Sequence, residues 1–219
     1  MKRYLTEFIG TFFLVLTIGL TIVGGSEFAA LAIGSVLMVM VYMGGHISGA
    51  HYNPCVTLAV WLRGKMKPGD IGPYMLVQVL GALLAGGAVF LIMGETFAPT
   101  PGPEASLSSA LMVEFLFSFA LALVVLNTAA VEETDGNSYF GLAIGFTVAV
   151  GIFAGGSVSG GAFNPAVSIG PAVIDAINGA GSYVFVWIYV VSPFAGGALA
   201  AIVSRLQHRT AQPDPVPAS

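Results

Sequence analysis

Six apolar runs, at 8–25, 28–45, 74–94, 107–131, 139–158 and 182–204, take up most of this chain. Each is close to the roughly 20 residues that an α-helix needs to cross a bilayer core. A backbone in lipid must satisfy its own hydrogen bonds, so only helices and closed barrels are open to such a chain. None of the runs alternates apolar and polar residues as barrel strands do. The predicted fold is therefore all-α, with six transmembrane helices. Composition agrees: 56 % of the 219 residues are hydrophobic and 8 % are charged, against roughly 25 % charged in soluble domains. The run after Met1-Lys2-Arg3 imitates a signal peptide. It is too long for one, holds Glu7 and is followed by further spans, so it reads as the first helix.

Charge orients the spans. The basic residues fall before span one (Lys2, Arg3), between spans two and three (Arg63, Lys65, Lys67) and after span six (Arg205, Arg209). The positive-inside rule assigns all three places, and hence both termini, to the cytoplasm. Glu27, Glu95 and Glu104 fall in the opposite loops. The expected setting is multi-pass in the plasma (inner) membrane. A net charge of −4 argues against a nucleic-acid partner, and the single cysteine, Cys55, excludes an internal disulfide.

Two short motifs then divide the chain into related halves. Ser48-Gly49-Ala50-His51-Tyr52-Asn53-Pro54 and Ser159-Gly160-Gly161-Ala162-Phe163-Asn164-Pro165 are offset by 111 residues. Glu7-Phe8 in span one and Glu114-Phe115 in span four are offset by 107. The expected layout is a first repeat over 1–93, a connecting loop over 94–108, a second repeat over 109–204 and a flexible cytoplasmic tail over 205–219. Three spans per repeat is an odd number, so the second repeat lies upside down relative to the first. Inverted repeats place their shared site near the midplane, between broken helices. The glycines spaced four apart, Gly45/Gly49, Gly141/Gly145 and Gly151/Gly155, read as helix-packing surface.

Proline is favoured at the first position of a helix, and asparagine is a good cap before it. Asn53-Pro54 and Asn164-Pro165 therefore start half-helices, expected over 53–63 and 164–175. An ordinary proline kink is the alternative, but two copies at one place in a repeat argue against it. Each half-helix enters from its own side and points a partly positive N-terminus at the centre. Each asparagine can cap its helix through oxygen and aim amide N–H groups into a pore. A water or hydroxyl passing there turns its oxygen to both asparagines, while cations and protons are repelled.

These residues, with Glu7-Phe8-Ile9-Gly10-Thr11, Gly45-His46-Ile47-Ser48-Gly49-Ala50-His51-Tyr52-Asn53-Pro54-Cys55-Val56-Thr57, Asn164-Pro165-Ala166 and Gly170-Pro171, resemble the aquaporin (major intrinsic protein) family over residues 4–204. The resemblance implies an aquaporin-like inverted repeat and a homotetramer with one pore per subunit. It also implies a constriction formed by four positions, which fall here on Ile33, Ile152, Gly161 and Val167. The family usually carries arginine at the last of these. Valine has neither the charge nor the five donors of arginine, so the ring is expected to be wider and more apolar. The resemblance is to aquaglyceroporin-like bacterial members that lack this arginine. The expected permeants are small neutral solutes: polyols, urea and metalloid hydroxy-acids such as arsenous acid, with water passing too. A water-selective aquaporin is the alternative within the family.

Glu7 and Glu114 are intramembrane carboxyls, costly without partners. Each is expected to accept backbone N–H groups from the loop of its own half; a proton relay is the alternative. His46 is expected to support the first loop by hydrogen bonding, with a pH gate as a second reading, and His51 to line a vestibule. Cys55 is expected to pack against Pro165 or its neighbours, the alternative being a pore-facing thiol that binds arsenite or mercury. No cofactor or metal is called for, and no nucleophile–base pair suggests an enzyme. A secondary transporter also uses inverted repeats and broken helices, but needs coupling-ion ligands within the spans. A junction protein with a sealed pore is a further class.

Overall fold

The structure is a computed structural model and describes residues 1–208. It contains eight α-helices: α1 (Lys2–Val23), α2 (Ala29–Ser48), α3 (Pro54–Leu62), α4 (Pro68–Met93), α5 (Leu107–Ala129), α6 (Phe140–Ser159), α7 (Pro165–Ile177) and α8 (Ile188–Gln207). Short 3-10 turns at Glu132–Thr134 and Ser182–Phe185 precede α6 and α8. Six of the helices are long and apolar enough to cross a membrane, the last counted with the turn before it. The described residues contain no strand.

The two halves are related by exchange of α1 with α5, α2 with α6, α3 with α7 and α4 with α8. Under that exchange the main packing pairs map onto one another: α1 on α4 becomes α5 on α8, α1 on α2 becomes α5 on α6, and α4 on α7 becomes α8 on α3. The pair α2–α6 maps onto itself. Each short helix thus packs on a long helix of the opposite half, which interlocks the repeats.

Small residues permit these crossings. A Cβ on Gly170 of α7 would stand 2.5 Å from the backbone of Ala82 in α4, and one on Gly197 of α8 would stand 2.7 Å from Cys55 Sγ. The long-helix crossings repeat the pattern. A Cβ on Gly81 would stand 2.6 Å from Phe8 O, and one on Gly196 would stand 2.5 Å from Phe115 O. With no hydrophobic drive between helices in lipid, this close van der Waals contact carries the association. Gly145 and Gly155 serve such packing, against Met38 and Val113. Gly49 has another role: it ends α2 with φ +89°, a conformation that glycine adopts without penalty. Gly160 ends α6 in the same way, at φ +87°.

Several bounds differ from the sequence expectation. Helix α4 begins at Pro68, six residues ahead of its apolar run, because its first turn is polar and holds Asp70. There Asp70 accepts hydrogen bonds from Arg3 Nη2 and Tyr4 Oη, each at 2.8 Å, which ties the starts of α1 and α4 together. The sequence predicts a flexible tail from 205, but α8 runs on to Gln207, with Arg205 hydrogen-bonded to the carbonyl of Leu62. The rest of that tail, 209–219, lies outside the described residues.

Candidate functional site: the paired Asn-Pro loops

The segments between α2 and α3 and between α6 and α7 run into the middle of the bundle and meet there. Asn53 is extended (φ −158°, ψ 120°) and accepts the N–H of Cys55 on Oδ1 at 2.8 Å. Asn164 is extended in the same way (φ −158°, ψ 114°) and accepts the N–H of Ala166 at 3.0 Å. Each asparagine also reaches across the pseudo-twofold. Asn53 Nδ2 donates to the carbonyl of Phe163, and Asn164 Nδ2 to the carbonyl of Tyr52, both at 2.9 Å. An amide nitrogen carries two hydrogens, so one N–H per asparagine remains for any other acceptor. The oxygen cap agrees with the sequence expectation. The cross-loop bond was not foreseen, and it reduces the free donors to one on each side.

Both loops owe their shape to a buried carboxylate. Glu7 accepts the N–H groups of His51 (3.0 Å) and Tyr52 (2.7 Å) and the hydroxyl of Ser48 (2.7 Å). Glu114 accepts the N–H groups of Ala162 (3.0 Å) and Phe163 (2.7 Å) and the hydroxyl of Ser159 (2.8 Å). Tyr74 Oη caps the carbonyl of Ser48 at 2.8 Å, and Tyr189 Oη caps that of Ser159 at 2.5 Å. The residue before each asparagine, Tyr52 or Phe163, has φ +49°, which costs a bulky residue about 1–3 kcal/mol. The carboxylate bonds hold these residues there, as does burial of the rings. The Tyr52 ring fills the space beside Gly10 and Gly44, and the Phe163 ring the space beside Gly151.

The first half has an additional layer. Gln78 Nε2 donates to Glu7 at 2.8 Å and to Thr57 Oγ1 at 3.0 Å, and Thr57 Oγ1 also lies 3.1 Å from His51 Nδ1. Nothing in the run 74–94 marked Gln78 beyond its being a polar residue in an apolar span, which is the signal that could have found it. In the second half, Ser118 and Ser168 have buried hydroxyls without a partner among the described residues.

A cavity of about 270 Å³ opens on the side of the connector 94–106. Ile33, Ile152, Gly161 and Val167 all line it, as do both asparagines. Gly160, Gly161 and Ala162 line it as well, and among the described residues their carbonyls accept no protein hydrogen bond. A second cavity, of about 610 Å³, opens on the opposite face among Arg3, Lys65, Lys67, Asp70, Glu132 and Asp135. His51 and Val125 line both cavities. The sequence reading missed the connector residues 97–100, which also line the first cavity; a loop between repeats carries no signal that it folds back over the site.

One sequence expectation needs correction, and another gains a partner. His46 is exposed on the last turn of α2 and its side chain makes no hydrogen bond among the described residues; loop support comes from Ser48, Tyr74 and Gln78. Cys55 is fully buried, as a packing role requires, and its Sγ donates to the carbonyl of Pro193 at 3.0 Å, so it packs on α8. That contact follows from the interlocking of the halves, which single-helix reasoning does not give. Among the described residues no three His, Cys, Asp or Glu side chains come together as a metal site.

Comparison with known proteins meets this geometry. The family model for the major intrinsic protein matches residues 1–204. The chain belongs to the major intrinsic protein family. As a member it is a multi-pass membrane channel for small solutes and water, and not an enzyme. It is 36 % identical over 223 residues to Aquaporin NIP1-1 of Zea mays, covering 97 % of this chain and 77 % of that one. It is also 36 % identical over 216 residues to Glycerol uptake facilitator protein-like 6 of Lactiplantibacillus plantarum, covering 94 % and 98 %. The solved aquaglyceroporin of Plasmodium falciparum superposes with a TM-score of 0.81 at 20 % identity, covering 94 % of this chain and 96 % of that one. At that identity the match speaks for the fold.

Proposed function

We propose that this channel passes small uncharged solutes larger than water (polyols, urea and metalloid hydroxy-acids such as arsenous acid) and passes water as well. The observation that carries this reading is Val167. It lines the same cavity as Ile33, Ile152 and Gly161, and this set contains no charge and no side-chain donor. A solute entering such a ring trades its hydration for backbone carbonyls at Gly160, Gly161 and Ala162. A neutral molecule with several hydroxyls makes that exchange readily; an ion does not, because transfer of a charge into apolar surroundings is costly. Beyond the ring, the N-termini of α3 and α7 and one free N–H on each asparagine favour an oxygen and repel cations. The relative named for glycerol uptake supports a polyol permeant.

On this reading Asn53 and Asn164 form the midplane of the pore, and Glu7 and Glu114 brace its loops. The face that carries Lys2, Arg3, Arg63, Lys65, Lys67 and Arg205 is cytoplasmic, in a plasma (inner) membrane. The first repeat covers 1–93 and the second 109–204. Exposed apolar side chains such as Phe146, Val150 and Phe153 of α6 face lipid or neighbouring subunits of a homotetramer. Proteoliposome swelling tests the permeant class: glycerol, urea and arsenous acid should each enter faster than into empty vesicles. Entry of water with exclusion of all three would leave a water-selective channel instead. Uphill accumulation driven by a proton gradient would mean a secondary transporter.

A further inference from the structure

The connector between the halves crosses the mouth of the first cavity as a strap fixed at three points. Thr96 Oγ1 donates to Asp175 of α7 at 2.7 Å. The Phe97 ring fills the space beside Gly19 of α1 and Val89 of α4. Beyond the cavity, the N–H of Gly102 donates to the carbonyl of Val158, at the end of α6, at 3.0 Å. Between these anchors Ala98, Pro99 and Thr100 line the cavity. Thr100 has Pro99 before it and Pro101 after it. Proline fixes its own φ, and it restricts the residue before it to extended conformations, so Thr100 is held in place with little entropy left to lose.

Its position is beside the ring. The Thr100 carbonyl and N–H lie 2.8 and 3.1 Å from where a Cβ on Gly160 would stand, and Gly160 adjoins Gly161. Thr100 is exposed, and its hydroxyl has no partner among the described residues. Among the lining residues outside the two Asn-Pro loops, Thr100 has the only side chain that can make an ordinary hydrogen bond; the rest are aliphatic, aromatic, proline or glycine.

We propose that Thr100 is a specificity-determining residue of this pore. The anchored strap holds the Thr100 backbone beside Gly160, and from this place in the cavity lining its hydroxyl supplies to polyhydroxy solutes the side-chain hydrogen bond that the ring of Ile33, Ile152, Gly161 and Val167 lacks. A hydroxyl both donates and accepts, so it serves a neutral polyol in either sense and offers nothing special to an ion. This inference rests on the reading of the pore as open to solutes larger than water. Glycerol satisfies the carbonyls of the second loop with one hydroxyl and Thr100 with another. Water, being smaller, does not need both at once.

Stopped-flow light scattering on proteoliposomes tests it with the full chain, comparing wild type, Thr100→Val and Thr100→Ser for glycerol and for water. Thr100→Val should lower glycerol permeability by about two- to tenfold, the loss of one hydrogen bond. Thr100→Ser should restore it, and water permeability should stay level in all three. Equal glycerol permeability in wild type and Thr100→Val would overturn the inference and leave the broader reading intact. Equal loss of water and glycerol in Thr100→Val would also overturn it, marking the strap as a structural part only. A wild type impermeable to glycerol, but open to water, would overturn the broader reading and this inference with it.

Discussion

The first and second Asn-Pro loops share one backbone scheme and differ in what surrounds it. In both, a carboxylate takes two N–H groups and a serine hydroxyl, and an asparagine caps one short helix and reaches across to the other loop. The first is braced further by Gln78 and Thr57, so Glu7 receives four donors where Glu114 receives three. The second has Gly161 and Ala162 where the first has Ala50 and His51. It also leaves two serine hydroxyls unmatched among the described residues. The shared part is a frame that any solute meets. On the proposed reading selectivity is set by the part of the difference that lines the cavities, a polar His51 toward the basic face and a bare glycine backbone toward the connector.

Removal of each carboxylate tests the frame most severely. Glu7→Ala and Glu114→Ala each leave at least two buried N–H groups without an acceptor, at about 1–3 kcal/mol apiece. Both variants should unfold at lower temperature in detergent, Glu7→Ala more than Glu114→Ala. Equal shifts would mean that the extra donor from Gln78 contributes nothing. Gln78→Leu isolates that donor. It should cost about 1–2 kcal/mol and leave permeability unchanged, because Gln78 braces the loop from behind and does not line either cavity. A changed ratio of glycerol to water flux in Gln78→Leu would break the separation of frame from route.

Tyr189→Phe removes the hydroxyl that caps Ser159 in the second half and should cost about 1 kcal/mol. Tyr74→Phe removes its counterpart at Ser48 and should cost about as much, since the two bonds are equivalent under the pseudo-twofold. Thermal unfolding of the two variants side by side checks this. The smallest effect is expected at Cys55. Its thiol is buried and bonded to Pro193, so a maleimide should label it after denaturation and not before. Rapid labelling of the folded channel would show a route to the thiol and revive a pore-facing role.

Much of this was legible in the chain, and what was not has a common cause. The apolar runs and the doubled Asn-Pro revealed six spans, two short helices and the central position of Asn53 and Asn164, because lipid leaves a backbone few options. The equal placement of Glu7 and Glu114 pointed to their N–H partners for the same reason: a bare carboxylate cannot stay in the bilayer. Contacts between halves were not legible. Cys55 on Pro193 and the Asn53–Phe163 bond depend on how two segments more than 100 residues apart interlock. The strap carrying Thr100 is set by anchors in α1, α4, α6 and α7, which proline content alone does not reveal. His46 misled because a histidine near a motif was read as part of it, whereas one turn of helix points it outward.

We propose that Val167, at the position where the resemblance places the family's usual arginine, opens the route to neutral solutes larger than water. The most direct measurement is the glycerol-to-water permeability ratio of wild type and Val167→Arg in the same proteoliposomes. Wild type should pass glycerol readily. Val167→Arg should narrow the ring and cut glycerol flux by about tenfold or more, an added barrier of about 1.4 kcal/mol, while water continues to pass. An unchanged ratio in Val167→Arg would contradict the claim and remove Val167 from the constriction.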